Sequence, residues 1–213
     1  MKTLLQSYKL HFTNKRFIIS LIIGLALLVI SLVINFYAGM YATESAGNPV
    51  PDIILSNIRV YDVDAIFIYG PVVFWSFVLL VCLLKPQKLP FTLKSIALFT
   101  IIRSVFVSLT HIGPFPTQVV MDTTSHLMQN FIFGGDLFFS GHTGLPFLMA
   151  LLFWNNTFLR WLFVASSVMF GVVVLLAHLH YSIDVLAAFF ITYTIYKIAI
   201  VFFRKDHELF LSE

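Results

Sequence analysis

A single cysteine among 213 residues, Cys82, excludes any internal disulfide, and its place in an apolar run makes it a small packing residue. Charged residues are also scarce, at 11%, and no internal repeat, low-complexity tract or second soluble domain is visible. The chain is instead 59% hydrophobic and 16% aromatic with a mean hydropathy of +0.93, values that no soluble domain of this length shows. It therefore reads as an all-α integral membrane protein. The formal charge of +3 would suit an anionic partner, but the charges sit in blocks between the apolar runs. They report topology and argue against nucleic-acid binding.

Six apolar runs are expected to span, at residues 17–37, 65–84, 93–109, 137–154, 158–177 and 181–203. The first exceeds the roughly 7 to 15 residues of a signal-peptide core and no clean cleavage site follows it, so it is expected to be retained. Residues 1–16 carry Lys2, Lys9, Lys15 and Arg16 and form a cytoplasmic segment; residues 17–203 form one membrane domain; residues 204–213 form a cytoplasmic tail. Lys85, Lys88 and Arg160 fall in turns on the same side as both termini, whereas Glu44, Asp52, Asp62 and Asp64 face Arg59 alone in the loop after the first run. That loop is expected on the exoplasmic or lumenal face. Trp154 and Trp161 flank an inner turn at Asn155-Asn156-Thr157 as interface anchors. His111 and His126, in the loop after the third run, have no coherent spacing and read as solvated.

The chemistry concentrates between residues 134 and 191. Gly135-Asp136 is followed by Ser140-Gly141-His142-Thr143, and later by His178-Leu179-His180-Tyr181-Ser182-Ile183-Asp184. The chain between them makes a helical hairpin that returns His180 to the face His142 left. The fourth run is short, so it either begins near Leu137 or leaves His142 recessed below the membrane surface. His180 and Asp184 are four residues apart, one helical turn, so the carboxylate can take one imidazole N–H and leave the other nitrogen free and nucleophilic. An acidic group at an apolar helix start is expensive unless paired, and makes the set a functional candidate; the simpler alternative is a capping cluster. Arg103, inside the third run, needs either a phosphate, which its planar fork suits, or an ion pair with an outer-loop carboxylate.

Together these residues resemble the sphingomyelin synthase family, a branch of the type 2 phosphatidic acid phosphatase superfamily. Its members carry Cys-Gly-Asp-x-x-x-Ser-Gly-His-Thr, then Ala-His-x-His-Tyr-Thr/Ser-x-Asp-Val followed by an aromatic pair and Ile-Thr. This chain has Gly134-Gly135-Asp136, Ser140 to Thr143, Ala177 to Val185, Phe189-Phe190 and Ile191-Thr192. Asn48-Pro49-Val50-Pro51-Asp52 resembles the family's Pro-rich, Asp-ending motif after the first span, expected to shape the mouth of the site. Arg103, followed by Thr110, Pro114 and Pro116, resembles its second motif.

The resemblance implies a lipid phosphotransferase in a six-span bundle with both termini cytoplasmic. His180 would be the nucleophile, Asp184 its orienting carboxylate and His142 the general acid and base. Asp136, Ser140, Gly141 and Arg103 would bind phosphate or substrate. It implies no metal and no cofactor. The partners would be a membrane phospholipid donor and a lipid alcohol acceptor of the ceramide or diacylglycerol class, with no nucleic acid; a homo-oligomer stays open. Plain lipid phosphatases of the superfamily place Pro before Ser-Gly-His and a Ser-Arg pair before the last signature. Here Phe139 and Val173-Val174 stand there, which favours the synthase branch. Leu179 replaces an acidic residue of the synthases, and Phe138 and Phe139 stand near positions where they use tyrosine, so choline recognition is not implied. Two alternatives accompany this reading: the same half-reaction with water as acceptor, and a membrane protein in which His178, His180 and Asp184 hold a cation.

Overall fold

The long apolar runs leave the backbone no water to bond with, so each closes its own hydrogen bonds as a helix. In the computed structural model, which describes residues 4–118 and 135–212, the chain is helical with no strand among those residues. The helices are α1 (Leu4–Phe12), α2 (Lys15–Glu44), α3 (Asp64–Leu84), α4 (Leu89–Leu109), α5 (Gly141–Leu152), α6 (Thr157–Leu176), α7 (Ser182–Phe202) and α8 (Arg204–Leu211), with one 3₁₀ turn at Pro86–Lys88. Five of these, α2, α3, α4 joined to its 3₁₀ turn, α6 and α7, are long and apolar enough to cross a membrane. The protein is a multi-pass membrane protein.

The fourth expected span differs. Its helix is only the 12 residues Gly141–Leu152, about 18 Å against a hydrocarbon core of about 30 Å. Residues Leu137 to Phe139 are not helical, so the fourth helix does not begin near Leu137 and His142 stands on its first turn. Helix α2 runs further than expected, to Glu44, and the two terminal segments carry the short helices α1 and α8.

Helix α2 packs along α4, α5 packs against α6 and α7, and α4 closes the bundle onto α7. At the α2–α4 contact Gly24 lets the helices approach: a Cβ there would stand 3.2 Å from Leu93 Cβ and 3.5 Å from the Pro90 carbonyl. The aromatic core includes Phe74, Phe99, Phe139, Phe163 and Phe170, all buried. Lipid-facing positions on α2 such as Ile22, Val29 and Leu32 are exposed apolar residues, as a bilayer solvent requires.

The two ends of the bundle are built differently. At one end the helix α1, the 3₁₀ turn and the helix α8 gather: Tyr8 donates to the Leu83 carbonyl, Lys88 donates to the Phe210 carbonyl and lies 4.2 Å from its ring centroid, and buried Lys94 pairs with Asp206 at 2.6 Å and donates to Ser20 Oγ. Both terminal segments therefore lie at the same end. At the other end the loops after α2 and α4 are stitched together, with Gly47 N–H donating to the His111 carbonyl and Gly113 N–H to that of Asn48. His111 itself is exposed, with its ring edge against Tyr41. Gly134, Asp122 and His126 lie outside the described residues.

Candidate functional site

The site lies at the end away from the termini, where α5 and α7 begin. Asp184 is on the first turn of α7 and is fully buried. Its Oδ2 lies 3.3 Å from His180 Nδ1 and also accepts the Tyr181 amide at 3.0 Å. The pairing expected from the spacing and the capping alternative are thus both realised by one oxygen. With Nδ1 turned to the carboxylate, Nε2 is the imidazole nitrogen left for chemistry.

The two signatures are joined through the backbone. Ser140 N–H donates to the Asp184 carbonyl at 3.1 Å, which sets the first turn of α5 against the first turn of α7. Ser140 Oγ and Asp184 Oδ1 are buried and have no hydrogen-bond partner among the described residues. His142 is on the first turn of α5, within electrostatic range of His180 and Arg103. Phe67, on α3, covers its ring at 4.4 Å between centroids, 33° from parallel. Phe67 was not among the sequence candidates, since a phenylalanine in an apolar span carries no signal of its own.

Arg103 resolves differently from the phosphate-facing expectation. Its Nε donates to the Phe139 carbonyl at 3.1 Å, one terminal nitrogen donates to the Asp136 carbonyl at 2.9 Å and pairs with Asp136 Oδ2 at 3.0 Å, and the other reaches Asn35 Oδ1 at 3.3 Å. The ion pair with an outer-loop carboxylate is the alternative the structure contains. Most of the guanidinium's donors hold the loop that enters α5, and the same group lies beside Gly141, whose Cβ would be 3.4 Å from Nε. Asp136 is correspondingly a partner for this cation. Gly135, one residue earlier, is required by close approach: a Cβ would come within 2.6 Å of Thr43 Cα on α2, and its amide donates to Thr43 Oγ1.

Both signatures carry backbone outside the regions that L-residues prefer. Phe139, before Ser140, has φ 24°, and His178, before Leu179, has φ 54°. Non-glycine residues hold such conformations when their surroundings over-determine them, and such residues cluster at functional sites. Phe139 is fully buried with its carbonyl held by Arg103, and His178 is buried with its Nδ1 against Thr117 Oγ1 and its ring edge-on to Phe115.

The Pro-rich loop after α2 reaches the second signature. Asp52, buried, accepts the Ser182 amide at 2.7 Å and the Ser182 hydroxyl at 2.8 Å with Oδ2, and the Ile54 and Leu55 amides with Oδ1. The Tyr181 hydroxyl donates to the Gly113 carbonyl at 2.7 Å and accepts the Val50 amide at 3.2 Å. Burial raises the Asp52 carboxyl, but the donors from Leu55, Ser182 and Ile54 outweigh it and hold it below its ordinary value. Burial pushes His178 below its ordinary value, against the opposing charge of Asp52. Asp52 was legible only as the end of a motif; its hydrogen-bond partner lies 130 positions away.

Among the described residues no three His, Cys, Asp or Glu side chains converge as metal ligands. His178 turns Nδ1 to Thr117, and His180 turns Nδ1 to Asp184. A carboxylate-oriented histidine, a second histidine and the N-terminus of α5, which favours anions, together suit phosphoryl chemistry.

No curated protein and no solved structure matches the chain. Residues 134–200, from the start of the first signature to near the end of α7, match the family model described as PAP2 superfamily C-terminal, which supports the type 2 phosphatidic acid phosphatase superfamily and, with it, lipid phosphatase or phosphotransferase chemistry for this part of the chain.

Proposed function

We propose that the protein is a sphingomyelin synthase-like lipid phosphotransferase working through a phosphohistidine on His180. The observation that carries this reading is the His180–Asp184 pair at 3.3 Å, tied through the Ser140 amide to the helix start that bears His142. In the first half-reaction His180 Nε2 attacks the phosphorus of a glycerophospholipid. The bond from phosphorus to the diacylglycerol oxygen breaks, and His142 gives that oxygen its proton. In the second, a lipid alcohol of the ceramide or diacylglycerol class loses its proton to His142, attacks phosphorus and releases His180. Asp184 fixes the imidazole and stabilises its positive charge. Ser140 Oγ and the amides around Gly141 supply donors to the phosphoryl oxygens. Arg103 and Asp136 hold the loop that presents them. The site opens on the exoplasmic or lumenal face, a reading supported by the basic residues at the opposite end of the bundle.

Transfer to water is the second reading, because the superfamily match covers hydrolases and transferases alike. Phe139 in place of the phosphatases' proline and Val173-Val174 in place of their Ser-Arg pair favour transfer to a lipid. Headgroup-labelled glycerophospholipid, incubated with purified protein with and without ceramide or diacylglycerol, separates the two. Label appearing in a new lipid only with the added alcohol is the expected result. Label found in water alone under both conditions makes the protein a hydrolase.

A further inference from the structure

The loop 46–63 hydrogen-bonds the second histidine signature through Asp52 and Val50, packs Leu55 and Ile58 in one apolar cluster with Tyr181, and donates the Tyr61 amide to the Leu176 carbonyl just before the signature. These contacts bracket one short segment. Between the end of α6 at Leu176 and the start of α7 at Ser182 the chain is not helical, so besides its own turn hydrogen bonds to Val173, Val174 and Leu175 the segment is held by contacts from other loops. On one side His178 sits against Thr117. In the middle the Tyr181 hydroxyl bonds Gly113 and Val50. On the far side both the amide and the hydroxyl of Ser182 bond a single oxygen of Asp52. The strongest of these is the last, because an ionised acceptor receives two donors at 2.7 and 2.8 Å in a buried place.

We infer that Asp52 is a positioning residue for His180: its carboxylate fixes the N-terminus of α7, and thereby the Asp184–His180 pair, in the attacking geometry. The inference rests on the reading of His180 as the nucleophile. The other carboxylate oxygen is tied to the Ile54 and Leu55 amides, so the anchor is itself held rigidly by the turn that follows the proline pair. Asp52 therefore joins the loop after the first span to α7, and the segment that carries the nucleophile is clamped between the two. Loss of an orienting group that acts through another residue lowers the rate of attack, although that group never touches the lipid.

The test uses the full chain in detergent micelles with labelled phosphatidylcholine, phosphatidylethanolamine and phosphatidic acid as probes, reading both turnover and acid-labile phosphate on the protein. Asp52→Ala is expected to lower kcat and the rate of phosphoenzyme formation by about 100-fold with KM unchanged within about twofold. Asp52→Asn offers Ser182 or the Ile54–Leu55 pair an NH₂ in place of an oxygen and should fall between Asp52→Ala and wild type. Ser182→Ala, which keeps the amide donor, should lose least. A circular-dichroism melt separates positioning from folding: Asp52→Asn with a near-native melt and a depressed phosphoenzyme rate supports the inference. A folded Asp52→Asn that forms phosphoenzyme at the wild-type rate overturns it, as does a loss confined to KM. If wild type forms no acid-labile phosphate with any probe while His180→Ala behaves identically, the phosphohistidine reading fails and the positioning role falls with it.

Discussion

Replacing Arg103 with alanine removes the guanidinium that holds the Phe139 and Asp136 carbonyls, the Asp136 carboxylate and Asn35. The side chains of the ion pair are 9% and 23% exposed, so the Asp136 charge would keep some water. Deleting one partner of a fully buried pair costs roughly 3–5 kcal/mol; with that residual hydration about 2–3 kcal/mol is expected. For a chain of this size that lowers the melting temperature by about 5–10 °C. Arg103→Lys keeps the charge but replaces a five-donor fork with a point charge, and should recover less than half of the loss. If the fork serves the loop, Arg103→Ala and Asp136→Ala are coupled by about 1–3 kcal/mol in a double-mutant cycle, and kcat falls in both because Ser140 and Gly141 lose their support. Thermal unfolding in micelles, with donor-lipid cleavage measured on the same samples, provides both readouts. An Arg103→Ala protein with an unchanged melt, a raised KM and an unchanged kcat would refute the reasoning, since that pattern belongs to a side chain that binds substrate uniformly.

Asp184→Asn should fold and still cap the Tyr181 amide through its carbonyl oxygen, yet lose most turnover, because an amide cannot stabilise the imidazolium formed at His180; a wild-type phosphoenzyme rate would contradict the pairing. Cysteines introduced as Asn48→Cys and Lys85→Cys in a Cys82→Ser background, both at exposed positions, should react with impermeant maleimide from opposite sides of intact cells, and labelling from one side would remove the topology. His178 is held neutral by burial, with its folded pKa below the ordinary value of about 6.5. The unfolded chain then binds more protons than the folded one, so stability should fall as pH drops below about 6.5. His178→Gln should flatten that part of the pH–melting curve, and an unchanged slope would mean that His178 does not drive it.

Much of this was legible because membrane solvation is a strong and local constraint. A run of about 20 apolar residues must be a helix wherever it sits in the chain, so five spans, their charged turns and the common end for both termini could be read from composition alone. The His180–Asp184 pair was legible from its four-residue spacing, although His180 precedes α7 and the contact forms around the N-terminus of that helix, not along it. Which of the two starts the fourth run takes was not, because the choice of Gly141 depends on Arg103 and Thr43 holding the residues before it out of a helix. Nor was the direction of Arg103's fork: the sequence allowed phosphate or carboxylate, and the choice fell to a loop that only the packing of α4 against α5 brings within reach. Asp52 and Ser182 are separated by 130 positions, and no periodicity connects them. Sequence by itself marked which residues to consider for chemistry and at which end of the bundle they lie; tertiary structure decided which of them face one another, because contacts between distant segments are set by how whole helices pack and by nothing local.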